Sequence, residues 1–262
     1  MELLIPILAV TVIGLLAAIM LVAASKFMSV PVDETFTKVR ECLPGANCGA
    51  CGYAGCDGYA QALSQGGVAP NLCVPGGQNA AAGIAAVLGV DAGDVVEQRA
   101  YVRCNGGCVH SSKKCDYAGI TTCAGVNLMF AGDGACSYGC LGYGDCANAC
   151  PQGAIHIVDG LARVNRSDCT GCGICTRTCP NHLIALVPVT VKTIVKCSSQ
   201  DKGVITKKAC STGCIGCKKC EKVCPSGAIS VANNLASIDQ SKCTGCGACM
   251  EACPQGAIYS FS

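Results

Sequence analysis

The chain has 262 residues, 27 of them cysteine, no tryptophan and a formal net charge of +2. The near-neutral balance argues against a nucleic-acid partner, and aromatics at 4% exclude a large conventional core, leaving folding energy to bound metal. An odd cysteine count with tight Cys-x-x-Cys-x-x-Cys runs argues against a disulfide framework, since bridges between such near neighbours are strained.

Leu3 to Ala24 carries no charge and is closed by Ser25-Lys26, a length that spans a hydrocarbon core of roughly 30 Å as a helix. Pro6 sits near its start, where a helix tolerates it. The alternative is a cleaved signal peptide, but Met1-Glu2 supplies no basic leader, and Cys42 lies too far downstream to be a lipidation site. Residues 1–28 are therefore expected to be a single transmembrane anchor. Lys26, Lys38 and Arg40 behind it, against Glu2 ahead of it, place the bulk of the chain in the cytoplasm, where the thiols also find reducing conditions.

Residues 29–76 form the first cysteine module. Cys48, Cys51, Cys56 and Cys73 offer four thiolates, with Gly49, Gly52 and Gly55 letting the backbone wrap closely. A helix is expected from about Gly55 to Leu63. This module reads as a four-iron site; a zinc ribbon is the alternative, and Cys42 is left over as a spare thiol or substitute ligand. Residues 77–122 read as linker and spacer, with a helix from Asn79 to Leu88 and a turn at Asp91 to Val96 leading into another helix. The cysteines Cys104, Cys108, Cys115 and Cys123 match no defined motif.

The remainder repeats itself at an offset of 74 residues, which maps Cys123 onto Cys197, Cys136 onto Cys210, Cys140 onto Cys214, Cys146 onto Cys220, Cys150 onto Cys224 and Cys179 onto Cys253. The homologous stretches are about 123–188 and 197–262, and the second domain is drawn from residue 189. In the second unit, Cys214, Cys217, Cys220 and Cys224-Pro225 form one run, and Cys243, Cys246, Cys249 and Cys253-Pro254 the other. Three thiols within seven residues followed by a fourth and a proline is a bacterial iron–sulfur run, whereas zinc takes cysteine pairs set well apart. Asn233-Asn234, and Asp159-Gly160 in the first unit, suit tight hairpin turns.

Each unit thus resembles a bacterial two-cluster ferredoxin, a small α+β module of short hairpin strands and helices over two [4Fe-4S] clusters. In that family the fourth cysteine of each run serves the other cluster. The resemblance implies one cluster on Cys214, Cys217, Cys220 and Cys253 and another on Cys243, Cys246, Cys249 and Cys224. In the first unit it implies Cys169, Cys172, Cys175 and Cys150, then Cys140, Cys146 and Cys179 with a gap, because Tyr143 stands where the second unit has Cys217. Cys136 is the candidate for the gap; a three-iron cluster, or none, is the competing outcome. Five clusters are expected, with a sixth or more open on Cys104, Cys108, Cys123, Cys197 and Cys210.

The order of parts, with Leu-Pro-Gly-Ala-Asn-Cys-Gly-Ala-Cys-Gly in the first module and Cys-Ser-Tyr-Gly-Cys-Leu-Gly-Tyr-Gly-Asp-Cys opening the ferredoxin units, is similar to the B subunits of Rnf complexes. These belong to ion-translocating ferredoxin:NAD+ oxidoreductases of the bacterial inner membrane. The resemblance covers essentially the whole chain, and the second ferredoxin unit matches the extended type. It implies that the chain takes electrons from reduced ferredoxin and passes them to membrane and flavin-carrying subunits.

The residues agree: there is no G-x-G-x-x-G fingerprint and no P-loop, so no catalytic residue is expected here, and the apolar segment offers no acidic group for an ion path. Lys202, Lys207, Lys208, Lys218, Lys219 and Lys222 form a candidate docking face for an acidic ferredoxin, against the alternative of an ordinary solvated surface. His110, His156 and His182 are too scattered for a Rieske centre. Two other classes stay open: an electron-transfer subunit of another membrane oxidoreductase, such as a hydrogenase or formate dehydrogenase, and a zinc scaffold without redox activity.

Overall fold

A computed structural model describes residues 4–27 and 34–261. Helix α1 (Leu4–Phe27) is apolar over residues 4–24 apart from Thr11, and each of its described large aliphatic side chains is at least half exposed. Among the described residues no helix is long and apolar enough to cross a membrane; the described side chains of α1 are continuous only over 10–24.

The first module packs α2 (Glu34–Glu41), α3 (Gly55–Gln65) and α4 (Gly77–Leu88) into a small core of Val39, Leu43, Tyr59, Leu63 and Ile84. Helix α3 runs on to Gln65, just past its expected end, and α4 stops where Gly89 turns left-handed, φ 68°. Arg40 pairs with Asp57 and ties α2 to α3.

The spacer departs from expectation. In place of a second helix, β1 (Gln98–Val102) follows the turn, because Gln-Arg-Ala-Tyr-Val alternates and sends Ala100 and Val102 inward. Next come α5 (Cys123–Asn127), α6 (Asp145–Asn148), the hairpin β2 (Ile155–Val158) and β3 (Leu161–Val164), α7 (Ile174–Thr178) and β4 (Ile184–Pro188). β1 pairs antiparallel with β4, Val102 opposite Ile184, so the spacer supplies a strand of the first unit.

The second unit repeats the plan with β5 (Thr193–Val195), α8 (Gly203–Ala209), α9 (Lys219–Val223), the hairpin β6 (Ile229–Ala232) and β7 (Leu235–Ile238), α10 (Ala248–Glu251) and β8 (Ile258–Ser260). β5 pairs with β8, Val195 opposite Ile258. Both hairpins turn on two left-handed residues, Asp159 with Gly160 and Asn233 with Asn234, as type I′ turns require. Gly142 and Gly216 lie against these turns. A Cβ on Gly142 would meet Gly160 O at 2.5 Å, and one on Gly216 would meet Asn234 Cα at 2.9 Å. Both units build their cores around cysteines, Cys146 and Cys175 in one, Cys220 and Cys249 in the other.

Candidate iron–sulfur centres

In the first module Asn47 Oδ1 accepts the Cys56 N–H at 2.8 Å, anchoring the start of α3. Burial pushes the Cys73 thiol up, and the charges of Cys56, Cys51 and Cys48 act in the same direction, while Cys51, Cys56 and Cys73 share the core of the module. Cys42 stands apart: its Sγ donates to Lys38 O at 3.3 Å and rests against Gly83.

In the first ferredoxin-like unit, Cys150, Cys169, Cys172 and Cys175 line one cavity with Ala100, Ile155 and Leu186. Burial pushes Cys175 up to about 12, and the other three thiols reinforce it. In the second unit Cys214, Cys217, Cys220 and Cys253 line another cavity; burial pushes Cys220 to about 11. Cys249 is raised by burial and by Cys243, Cys224 and Cys246.

Backbone amides are aimed at the sulfurs. Ala100 donates to Cys169 and Leu183 to Cys179, each at 3.4 Å, while Ala228 donates to Cys224 and Ala257 to Cys253, each at 3.3 Å. Such donors favour thiolate and help set the potential of a bound cluster. Among the described residues no three His, Cys, Asp or Glu side chains are spaced for a single metal ion. Thiols ranged around an apolar cavity fit a many-atom inorganic core.

In the irregular half of the first unit, burial raises the Cys140 and Cys146 thiols, Cys146 to about 12, and the charges of Cys123 and Cys179 act on both in the same direction. Cys123 is held by Asp145, whose carboxylate accepts the N–H groups of Cys123 at 2.9 Å and Ala124 at 3.0 Å, while Thr122 caps α5. The second unit has Lys219 at the Asp145 position, so the device belongs to the first unit alone. Tyr143, in the place of a ligand, donates its hydroxyl to Asp133 at 3.0 Å.

Cys136, Cys197 and Cys210 line one cavity. Cys104 lines the same cavity, which also touches Cys140. Cys108 and Cys115 are exposed.

The groups adjoin one another in series. Cys172 of the first unit is influenced by Cys48, and Arg177 Nη2 donates to Cys48 O at 2.6 Å. Cys146 is influenced by Cys175. The Cys140 N–H donates to Cys104 Sγ at 3.4 Å, and the Cys214 N–H to Cys197 Sγ at 3.2 Å. All six lysines of the candidate docking face are exposed, with Cys217 exposed among them. His110 Nδ1 hydrogen-bonds Ser211 Oγ at 3.0 Å, and His156 and His182 are exposed.

Residues 43–75 match a family model described as "Putative Fe-S cluster". Residues 133–180, 168–228 and 213–257 match models described as 4Fe-4S dicluster domains. The chain is 46% identical to the B subunit of the proton-translocating ferredoxin:NAD+ oxidoreductase complex of Clostridium ljungdahlii, over 88% of this chain and 82% of that protein. It is 42% identical to the B subunit of the Na+-translocating complex of Acetobacterium woodii, over 91% and 72%. It is 43% identical to the B subunit of the ion-translocating oxidoreductase complex of Methanosarcina acetivorans, over 88% of each.

Proposed function

Because the chain belongs to the family of B subunits of ion-translocating ferredoxin:NAD+ oxidoreductase complexes, we propose that it relays electrons from reduced ferredoxin through a series of [4Fe-4S] clusters into the other subunits of an Rnf complex. It acts as a subunit of a translocase, and NAD+ reduction and ion movement belong to its partners. The observation that carries this reading is the series of adjoining four-thiol groups, each served by buried cysteines and directed amides.

Clusters held there supply one-electron transfer. The chain's own residues hold them at Cys48, Cys51, Cys56 and Cys73; at Cys150, Cys169, Cys172 and Cys175; at Cys123, Cys140, Cys146 and Cys179; at Cys214, Cys217, Cys220 and Cys253; and at Cys224, Cys243, Cys246 and Cys249. Amides directed at sulfur stabilise the charged thiolates, and the apolar linings keep water from them. The exposed lysines around Cys217 form the face that receives an acidic ferredoxin, with exposed Val204 and Ile205 beside them.

Helix α1 anchors the chain once in the cytoplasmic membrane with the cluster-bearing modules on the cytoplasmic side. The uncharged run from Leu3 to Ala24 and the unpartnered aliphatic surface of α1 support this. Iron and acid-labile sulfide, measured on full-length chain purified anaerobically in detergent, test the reading. About 20 iron atoms at the five groups above are expected, four per cluster; zinc in place of iron would overturn it.

A further inference from the structure

We propose that Cys104, Cys136, Cys197 and Cys210 hold an additional [4Fe-4S] cluster shared between the two ferredoxin-like units. The proposal rests on the electron-relay reading and adds to it a bridging site.

The strand pairing reveals what the constant offset conceals. Val102 lies opposite Ile184 and Val195 opposite Ile258, partners 74 residues apart in the repeat. The next amides agree, with Arg103 N–H donating to Leu183 O and Lys196 N–H to Ala257 O, each at 2.8 Å. Cys104 is therefore the counterpart of Cys197, one residue further along each chain segment. Their sulfurs accept equivalent bonds, from Cys140 N–H and Cys214 N–H. Cys136 and Cys210 are counterparts by the repeat itself. The cavity is thus lined by the same two positions of both units.

The site is built like the regular ones. Cys104 and Cys210 are buried. Gly106 passes between them so closely that a Cβ there would stand 2.8 Å from Cys210 Sγ and 3.8 Å from Cys104 Sγ. The Gly106 N–H donates to Cys104 Sγ at 3.4 Å, a second amide on that sulfur. The surrounding backbone is fixed by contacts between the units: Ser111 Oγ to Ala209 O at 3.0 Å, Thr212 Oγ1 to Asn105 O at 3.1 Å and Ser198 Oγ to Arg103 O at 3.0 Å. On ligation each thiol releases its proton to solvent. A cluster held there would take one electron from the centre beside Cys214, which is thereby oxidised, and pass it to the centre beside Cys140, so each hop oxidises one centre and reduces the next.

The test uses full-length protein purified anaerobically in detergent. Wild type should carry about 24 iron atoms, six clusters of four, and should protect these four thiols from iodoacetamide as fully as those of Cys214 and Cys253. Cys104→Ser and Cys210→Ser should each lose about four irons, with electron transfer between the units slowed, while Cys115→Ser loses none. About 20 irons with the four thiols alkylated, a disulfide among them, or one zinc there would overturn the bridge while leaving the relay reading intact. Absence of iron from the regular runs would overturn the relay reading itself. If the serine variants fail to fold, the wild-type protection pattern decides alone.

Discussion

Replacing Asp145 by alanine should loosen one iron–sulfur site while leaving the others intact. Its carboxylate accepts two backbone N–H groups, at 2.9 and 3.0 Å, and these bonds fix the turn that presents Cys123. A hydrogen bond to a charged partner contributes about 1.5–3 kcal/mol. Taking the lower figure because Asp145 is only partly buried, the pair contributes about 3 kcal/mol to holding Cys123 in place. At about 1.4 kcal/mol per decade, that is roughly a hundredfold in retention of the ligand. The assay is anaerobic extraction of iron by a chelator, followed by electron paramagnetic resonance of the oxidised protein. Asp145→Ala should release about four irons per chain ahead of the rest, through a three-iron intermediate signal. Cys123→Ala should show that signal from the outset, and adding Tyr143→Cys should remove it, because Tyr143 occupies the position of the Cys217 ligand. Extraction indistinguishable from wild type, or the three-iron signal on Cys136→Ala and not on Cys123→Ala, would refute the reasoning.

Asp133 is buried, which alone would raise its carboxyl, but the bonds from Lys113 at 2.8 Å and Tyr143 at 3.0 Å, with the charge of Lys113, hold it below the ordinary range. Its stabilisation is therefore complete above the unfolded carboxyl value, about 3.9, and is lost as pH falls through the lower folded value. Asp133→Asn should lower thermal stability by about 1–3 kcal/mol at pH 7, a difference that stays constant down to about pH 5; a difference that shrank between pH 7 and 5 would contradict the assignment. Gly142→Ala forces a Cβ against Gly160 O at φ +78° and should destabilise the first unit by about 1–3 kcal/mol, read from chemical denaturation; a neutral result would mean that the turn yields. Replacing Lys207, Lys208, Lys218 and Lys219 by glutamate should slow reduction by ferredoxin at least tenfold at low salt and abolish its salt dependence; stopped-flow rates unchanged across ionic strength would place the docking face elsewhere.

The regular runs were legible because their spacing reflects the object they surround. Cys-x-x-Cys-x-x-Cys places three thiols around one corner of a cavity whatever the rest of the chain does, and Asp159-Gly160 and Asn233-Asn234 announce their turns through local backbone preference. Cys123 was not legible in the same way. Its proposed partnership with Cys140, Cys146 and Cys179 depends on where α5 is pinned, and the one local hint was that Tyr143 and Asp145 depart together from Cys217 and Lys219. The equivalence of Cys104 and Cys197 was hidden by length: Cys104 precedes Cys140 by 36 residues, Cys197 precedes Cys214 by 17. A constant offset slides past such an insertion and pairs Cys197 with Cys123. The alternating Gln98–Val102 stretch could have shown the strand, but its edge pairing with β4 spans most of the first unit.

The exchange of cysteines between runs also sets an order on biogenesis. A ribosome releases the chain from its N-terminus, and the first module has all its thiols once Cys73 emerges. With the ligand sets proposed above, Cys140 and Cys146 wait for Cys179, and Cys214 for Cys253. In the interval each run is a set of naked, oxidisable thiols with half a cage around them. Under that assignment, a chain stalled before Cys179 or Cys253 leaves an earlier run one ligand short.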